Sequence, residues 1–361
     1  MDLTTFLETY GDATAIAVAG AIVGLLFGAA AQRSEFCLRA ACVEFWRGTV
    51  GARMAIWLLV FGVALAGVQA LFVFGALEAN GIRQLSTPGT LSGAVIGGLM
   101  FGAGMILARG CASRLLVLSA TGNGRALVAG LVLTVAAQAS LTGILSPLRS
   151  NLSSLSVVPA NVRDLSMIVP HWLALVAGLA FVAGAIFVGL RSQVSWFRLV
   201  MGFGVGFAVV LGFGLTALIA SQSFEIVPIQ SVTFTGPSAD TLSVLIVQPD
   251  VPLNFGLGLI PGVFAGSLIA ALASGTFKLQ TFTEETPLPR YLAGAVLMGF
   301  GSMLAGGCAV GAGVTGGSLL ALTAWVALFA MWIGAGLTDR LVDVPQTDAR
   351  SKASPAFGAQ Q

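Results

Sequence analysis

Between Tyr291 and Thr338 the chain carries no Asp, Glu, Lys or Arg. One helix needs only about 20 apolar residues to cross ~30 Å of hydrocarbon, so this run must cross more than once or break inside. The glycines of GGCAVGAGVTGG (306–317) mark where it breaks. The run supplies the last two of nine hydrophobic stretches, at 13–31, 54–77, 91–108, 126–146, 172–190, 199–220, 253–277, 291–306 and 319–338. The third and eighth are short and glycine-rich and are expected to span only part of the bilayer. The fold class that follows is an all-α integral membrane protein with about nine transmembrane helices and short re-entrant half-helices, forming a single membrane domain over 1–361.

Composition excludes the soluble alternatives. Only 9% of residues are charged and mean hydropathy is +0.95, whereas an ordinary soluble domain carries roughly 25% charged residues. A soluble enzyme, a nucleic-acid binder and a disordered protein are therefore ruled out. The cations include just two lysines, Lys278 and Lys352, and neither follows a glycine, so no Gly-Lys-Ser/Thr nucleotide loop exists. Four cysteines (Cys37, Cys42, Cys111, Cys308) show no Cys-x-x-Cys spacing, and His171 is the only histidine. No metal, cofactor or disulfide framework is expected from that set. The acidic flank of the first stretch (Asp2, Glu8, Asp12) is the opposite of a signal peptide's basic one.

Orientation follows from the distribution of cations. Fourteen of the seventeen fall in the connections after spans 1, 3, 5, 7 and 9, and three in the alternate set. The positive-inside rule then puts the N-terminus outside and the tail 341–361 in the cytoplasm.

The chain also repeats. GMILARGC (104–111) and GSMLAGGC (301–308) match at five of eight positions, 197 residues apart. The same offset lays Gly97 on Gly294, Gly102 on Gly299, Ser34 on Ser231, and Cys37 on Phe234. Span 3 maps onto span 8, and a displacement by five spans reverses the direction of crossing. The expectation is two inverted repeats, 13–150 and 199–340, joined by 172–190. Transporters built this way hold their substrate near the midplane, on broken helices.

Cys111 and Cys308 occupy one repeat position, each behind Leu-Ala-x-Gly. Gly110 and Gly307 let the backbone leave the helix there, and the stretches that follow are expected to start half-helices whose free N–H groups attract anions. In RSEFCLRAACVEFWRG (33–48), expected to form a short re-entrant or interfacial helix, Cys37 holds the repeat-related position. Cys42 reads as packing, and Glu35 and Arg39, four apart, are expected to pair. Arg109 and Arg114 flank Cys111, where they either draw an anion inward or simply retain the cytoplasmic side.

With FC at 36–37, LARGC at 107–111, SVTFTGPSAD at 231–240 and LAGGCAVGAGVTGGS at 304–318, the chain resembles the YeeE/YedE family of bacterial sulfur-compound transporters. The resemblance covers nearly the whole chain. It implies no enzyme but thiosulfate uptake across the bacterial inner membrane, by a row of cysteines relaying the anion through transient S–H···S contacts. The relay roles fall on Cys308, Cys111 and Cys37, while Cys42 has no motif to anchor it. The resemblance also implies a small soluble sulfur-carrier protein as cytoplasmic partner. Two alternatives stay open: a membrane thiol redox or sulfur-transfer enzyme, and a channel for another small sulfur or selenium solute.

Overall fold

A computed structural model describes residues 9–223, 227–246, 252–280 and 288–343. Its helices are α1 (Asp12–Ser34), α2 (Leu38–Trp46), α3 (Ala52–Val73), α4 (Leu91–Leu107), α5 (Ala112–Ala120), α6 (Gly124–Leu141), α7 (His171–Arg191), α8 (Trp196–Gln222), α9 (Thr235–Ile246), α10 (Phe255–Ala273), α11 (Leu288–Ala305) and α12 (Leu322–Thr338). A stretch of π-helix, Ala309–Gly316, follows α11, and a wide turn, Asp339–Asp343, follows α12. Two-residue strands at Gly89–Thr90 and Val157–Val158 pair antiparallel. Among the described residues nine helical segments are long and apolar enough to cross a membrane. The chain is an all-α multi-pass membrane protein. The expected tail lies outside the described residues beyond Asp343, as does part of the acidic loop 221–252.

Helix starts follow the polar residues before each apolar run. The side chains of Thr90, Asn123, Ser195 and Asn254 accept from the N–H three residues on, opening α4, α6, α8 and α10. Each satisfies an N–H that the helix itself leaves unpaired.

Lipid tails are as apolar as leucine, so these helices associate by close packing of small residues rather than by a hydrophobic drive. Helices α1 and α10 show this most fully. Gly20, Gly24 and Gly28 on one, and Gly258, Gly262 and Gly266 on the other, recur every four residues. At each a methyl group would collide with a carbonyl oxygen of the partner helix. The broken helices α4 and α11 meet in the same way. Gly97 lies on the Gly301 carbonyl and Gly104 on that of Gly294, and both contacts are reciprocal.

The 197-residue offset recurs in the elements. It carries α2 onto α9, α4 onto α11, α5 onto the π stretch and α6 onto α12. Packing partners follow: α4 lies on α12 and α11 on α6, while α2 touches α12 and α9 touches α6. Helix α7 packs on α3, and its outward face (Trp172, Val176, Leu179, Phe187, Leu190) is exposed and apolar, as lipid requires.

Candidate functional site

Two helix breaks organise the centre, and they share one backbone geometry. At the first, Arg109 takes a left-handed φ of 55°; at the second Gly306 does so, at 79°. The N–H of Gly110 donates to the Met105 carbonyl at 3.1 Å, and that of Gly307 to the Ser302 carbonyl at 2.9 Å. Each break ends on a cysteine in extended conformation whose carbonyl accepts from the residue four ahead: Leu115 on Cys111 at 2.9 Å, Ala312 on Cys308 at 2.8 Å. Non-helical backbone at membrane depth is tolerated where it is buried in protein or lines a cavity. Both cysteines are 1% exposed.

The Cys308 sulfur accepts from the Gly311 N–H at 3.4 Å, so a donor at the start of the π stretch points at the sulfur, as expected. Cys111 Sγ lies 3.4 Å from Ser113 Oγ. Its thiol also lies near enough to that of Cys37, the residue before α2, for the two to act on each other. The turn at Glu35 and the break at Arg109 therefore bring Cys37 and Cys111 near one another. Arg39 and Arg114 both stand close enough to Cys37 for their charge to act on its sulfur. Cys42 is fully buried within α2, and Arg109 lies near Asp343.

One expectation is corrected. Glu35 does not pair with Arg39. It sits in the left-handed turn before α2 (φ 56°) rather than on the helix, so the four-residue spacing never places the two on one face. Glu35 binds Arg53 and Arg198 instead, and Arg39 binds Asp343 at 3.2 Å.

Sequence reasoning missed a small cleft beside the Cys308 break. Gln84, Arg163 and Thr323 line it with Ala305, Gly306 and Gly316. Arg163 donates from Nε to Thr323 Oγ1 at 3.0 Å and from Nη1 to the Thr87 carbonyl at 2.9 Å. Burial pulls its guanidinium down from the ordinary value. The motifs that flagged the cysteines hold no signal for Arg163, which reaches the cleft from the connection between α6 and α7. His171 stacks on Phe72 and contacts Gln69 Oε1 through Nδ1 at 2.8 Å. Among the described residues no group of three His, Cys, Asp or Glu side chains could hold a metal ion.

Paired glycine-flanked breaks, each ending on a buried cysteine, in a chain whose described residues include nine helical segments long and apolar enough to cross a membrane, define a multi-pass membrane protein with cysteines at its broken helices. Residues 33–337 match the family model described as "Sulphur transport", and the chain belongs to that family. It is 28% identical over 355 residues to the thiosulfate transporter TsuA of Escherichia coli strain K12, covering 94% of this chain and 98% of that protein. It is also 28% identical over 333 residues to the thiosulfate transporter TsuA of Spirochaeta thermophila, covering 87% of this chain and 96% of that one.

Proposed function

We propose that the chain takes up thiosulfate across a bacterial inner membrane, passing it along Cys308, Cys111 and Cys37. The observation that carries this reading is the equivalence of the two breaks: each delivers one buried cysteine, and Cys111, at the first, lies beside a third, Cys37. In this reading the halves 13–150 and 199–340 are inverted repeats joined by 172–190, with the N-terminus outside and the C-terminus in the cytoplasm. The family and the two TsuA relatives support the substrate.

The chemistry suits a soft dianion. Stripping water from thiosulfate inside a low-dielectric bundle is costly unless donors replace it. Backbone N–H groups such as that of Gly311 supply donors without a full positive charge that would trap the ion. Thiols are weak donors and weak acceptors, so each contact breaks easily, and conduction requires binding weak enough to leave. A small soluble sulfur-carrier protein would receive the product on the cytoplasmic face.

Uptake of labelled thiosulfate into proteoliposomes tests the reading, with sulfate, sulfite and selenium oxyanions as competitors. Saturable uptake that sulfate does not suppress is expected; absence of uptake overturns it. The proximity of Cys37 and Cys111 also favours a second reading, a thiol sulfur-transfer enzyme. In that reading the thiolate of one of the two cysteines attacks the outer sulfur of thiosulfate, the S–S bond breaks with release of sulfite, and the persulfide left behind is visible as added mass.

A further inference from the structure

Beyond the Cys37–Cys111 pair the buried charges among the described residues do not balance. Arg39 and Arg290 both donate to the carboxylate of Asp343, at 3.2 and 2.6 Å. Arg109 is near enough for its charge to act on Asp343, and Arg39 and Arg114 act in the same way on Cys37. Two guanidiniums thus bind one carboxylate, Arg109 adds a third charge beside it, and Arg114 joins Arg39 beside the Cys37 thiol. The other described acids nearby are committed elsewhere. Asp339 is held by Arg47, Glu35 by Arg53 and Arg198, and Glu44 by the N–H groups of Gly51, Arg53 and Met54.

The donors of this cluster are not exhausted either. Arg39 Nε, Arg114 Nη1 and Arg290 Nε are buried and have no hydrogen-bond partner. The side chains of Arg290 and Asp343 are only 13% and 12% exposed. A surplus of cations in a region of low dielectric calls for an anion, and orphan N–H groups call for acceptor oxygens. A tetrahedral oxyanion provides both. Its several oxygens reach separate guanidiniums, and its double charge offsets the surplus.

Resting on the transport reading above, we propose that Arg39, Arg114 and Arg290 form an anion site for the sulfur oxyanion on the exit side of the thiol pair. Asp343 is a built-in competitor that occupies this site until the substrate displaces it. Its carboxylate keeps the arginines paired when the pathway is empty and keeps them from trapping the substrate when it is full. Because Asp343 lies on the turn after α12, displacing it also breaks that turn's ties to α2 through Arg39 and to α11 through Arg290, leaving the Arg47–Asp339 bonds as its hold on α2.

Purified full-length wild type, Asp343→Asn and Arg39→Gln are compared for binding of labelled thiosulfate, and for uptake in proteoliposomes. Losing one charged donor is expected to raise Kd about tenfold for Arg39→Gln. Asp343→Asn is expected to shift Kd the other way, about fivefold tighter, with a lower maximal rate of uptake because release slows. Should either variant fail to fold, Arg290→Gln and Asp343→Ser replace them in the same assay. Weaker binding in the Asp343 variant, or unchanged Kd in the arginine variants, overturns the inference. Wild type that neither binds nor transports thiosulfate overturns the transport reading itself, a result separable from the opposed shifts.

Discussion

Arg47, at the end of α2, closes a two-bonded fork on Asp339, at the start of the last turn: Nε to Oδ2 and Nη2 to Oδ1, each at 2.9 Å. The two residues are 292 apart in sequence. Asp339 is 1% exposed while Arg47 is 41% exposed, so the burden of desolvation falls on the carboxylate. One residue earlier, Trp46 donates from Nε1 to the Trp332 carbonyl at 2.9 Å, and its ring lies flat against Gly336. The fork and the indole together dock the helix that carries Cys37 onto α12.

Removing the arginine strands a buried carboxylate, whereas removing the carboxylate's charge strands only a half-exposed cation. Arg47→Ala is therefore expected to cost about 2 kcal/mol, with Asp339→Asn costing less, after allowance for screening at the exposed partner. Thermal unfolding in detergent reads the difference. The hydrogen bonds that Arg47 donates to Asp339 raise its guanidinium above its ordinary value. A raised cation stabilises fully below its unfolded value and loses that only as pH climbs past the folded one, so the gap between wild type and Arg47→Ala should hold from about pH 7 to about pH 10.

The glycine seam between α1 and α10 predicts a sharper failure. Gly262→Leu would drive a side chain into the Ala21 carbonyl and backbone, where over-packing costs at least about 1–3 kcal/mol and the backbone cannot yield cheaply. The expected result is loss of monodisperse protein on size-exclusion chromatography. Gly184→Leu is the control, since nothing lies within 4 Å of the position a methyl would take there, and it should leave the elution profile unchanged.

What the sequence revealed divides along physical lines. The spans were legible because lipid demands unbroken apolar length, so 91–108 anticipates Leu91–Leu107 and 172–190 anticipates His171–Arg191. The breaks at Cys111 and Cys308 were legible because glycine is what a departing backbone needs. Charge pairing was not, because it joins residues far apart in the chain. Arg39 to Asp343 and Arg47 to Asp339 each cross about 300 residues, and a local four-residue rule gave Glu35 the wrong partner. Arg163 escaped for the same reason: nothing near it in sequence announces the cleft it enters.

Arg163 is expected to act on capture rather than on passage. It keeps one guanidinium beside the Cys308 break, tied to Thr323 and Thr87. Although burial lowers its proton affinity, an arginine stays charged near neutral pH. Arg163→Gln should raise the thiosulfate concentration for half-maximal uptake by about fivefold, the cost of roughly 1 kcal/mol of attraction, with little change in the maximal rate. A fall in maximal rate at unchanged half-saturation would instead make Arg163 a structural tie between the loop and α12.

The cysteines separate by role. Cys308→Ala and Cys111→Ala are expected to abolish thiosulfate uptake while the proteins still insert, because each removes the one sulfur at its break. Cys37→Ala should cut uptake strongly as well, since its thiol lies beside Cys111. Cys42 lies a turn further along α2 with no exposed surface, and Cys42→Ala should keep uptake while costing about 1 kcal/mol of stability for the small void it leaves. Uptake rates set beside membrane yields for the four variants decide the matter. Normal uptake by both Cys308→Ala and Cys111→Ala would sink the relay, and loss of uptake in Cys42→Ala at normal yield would move that thiol onto the pathway.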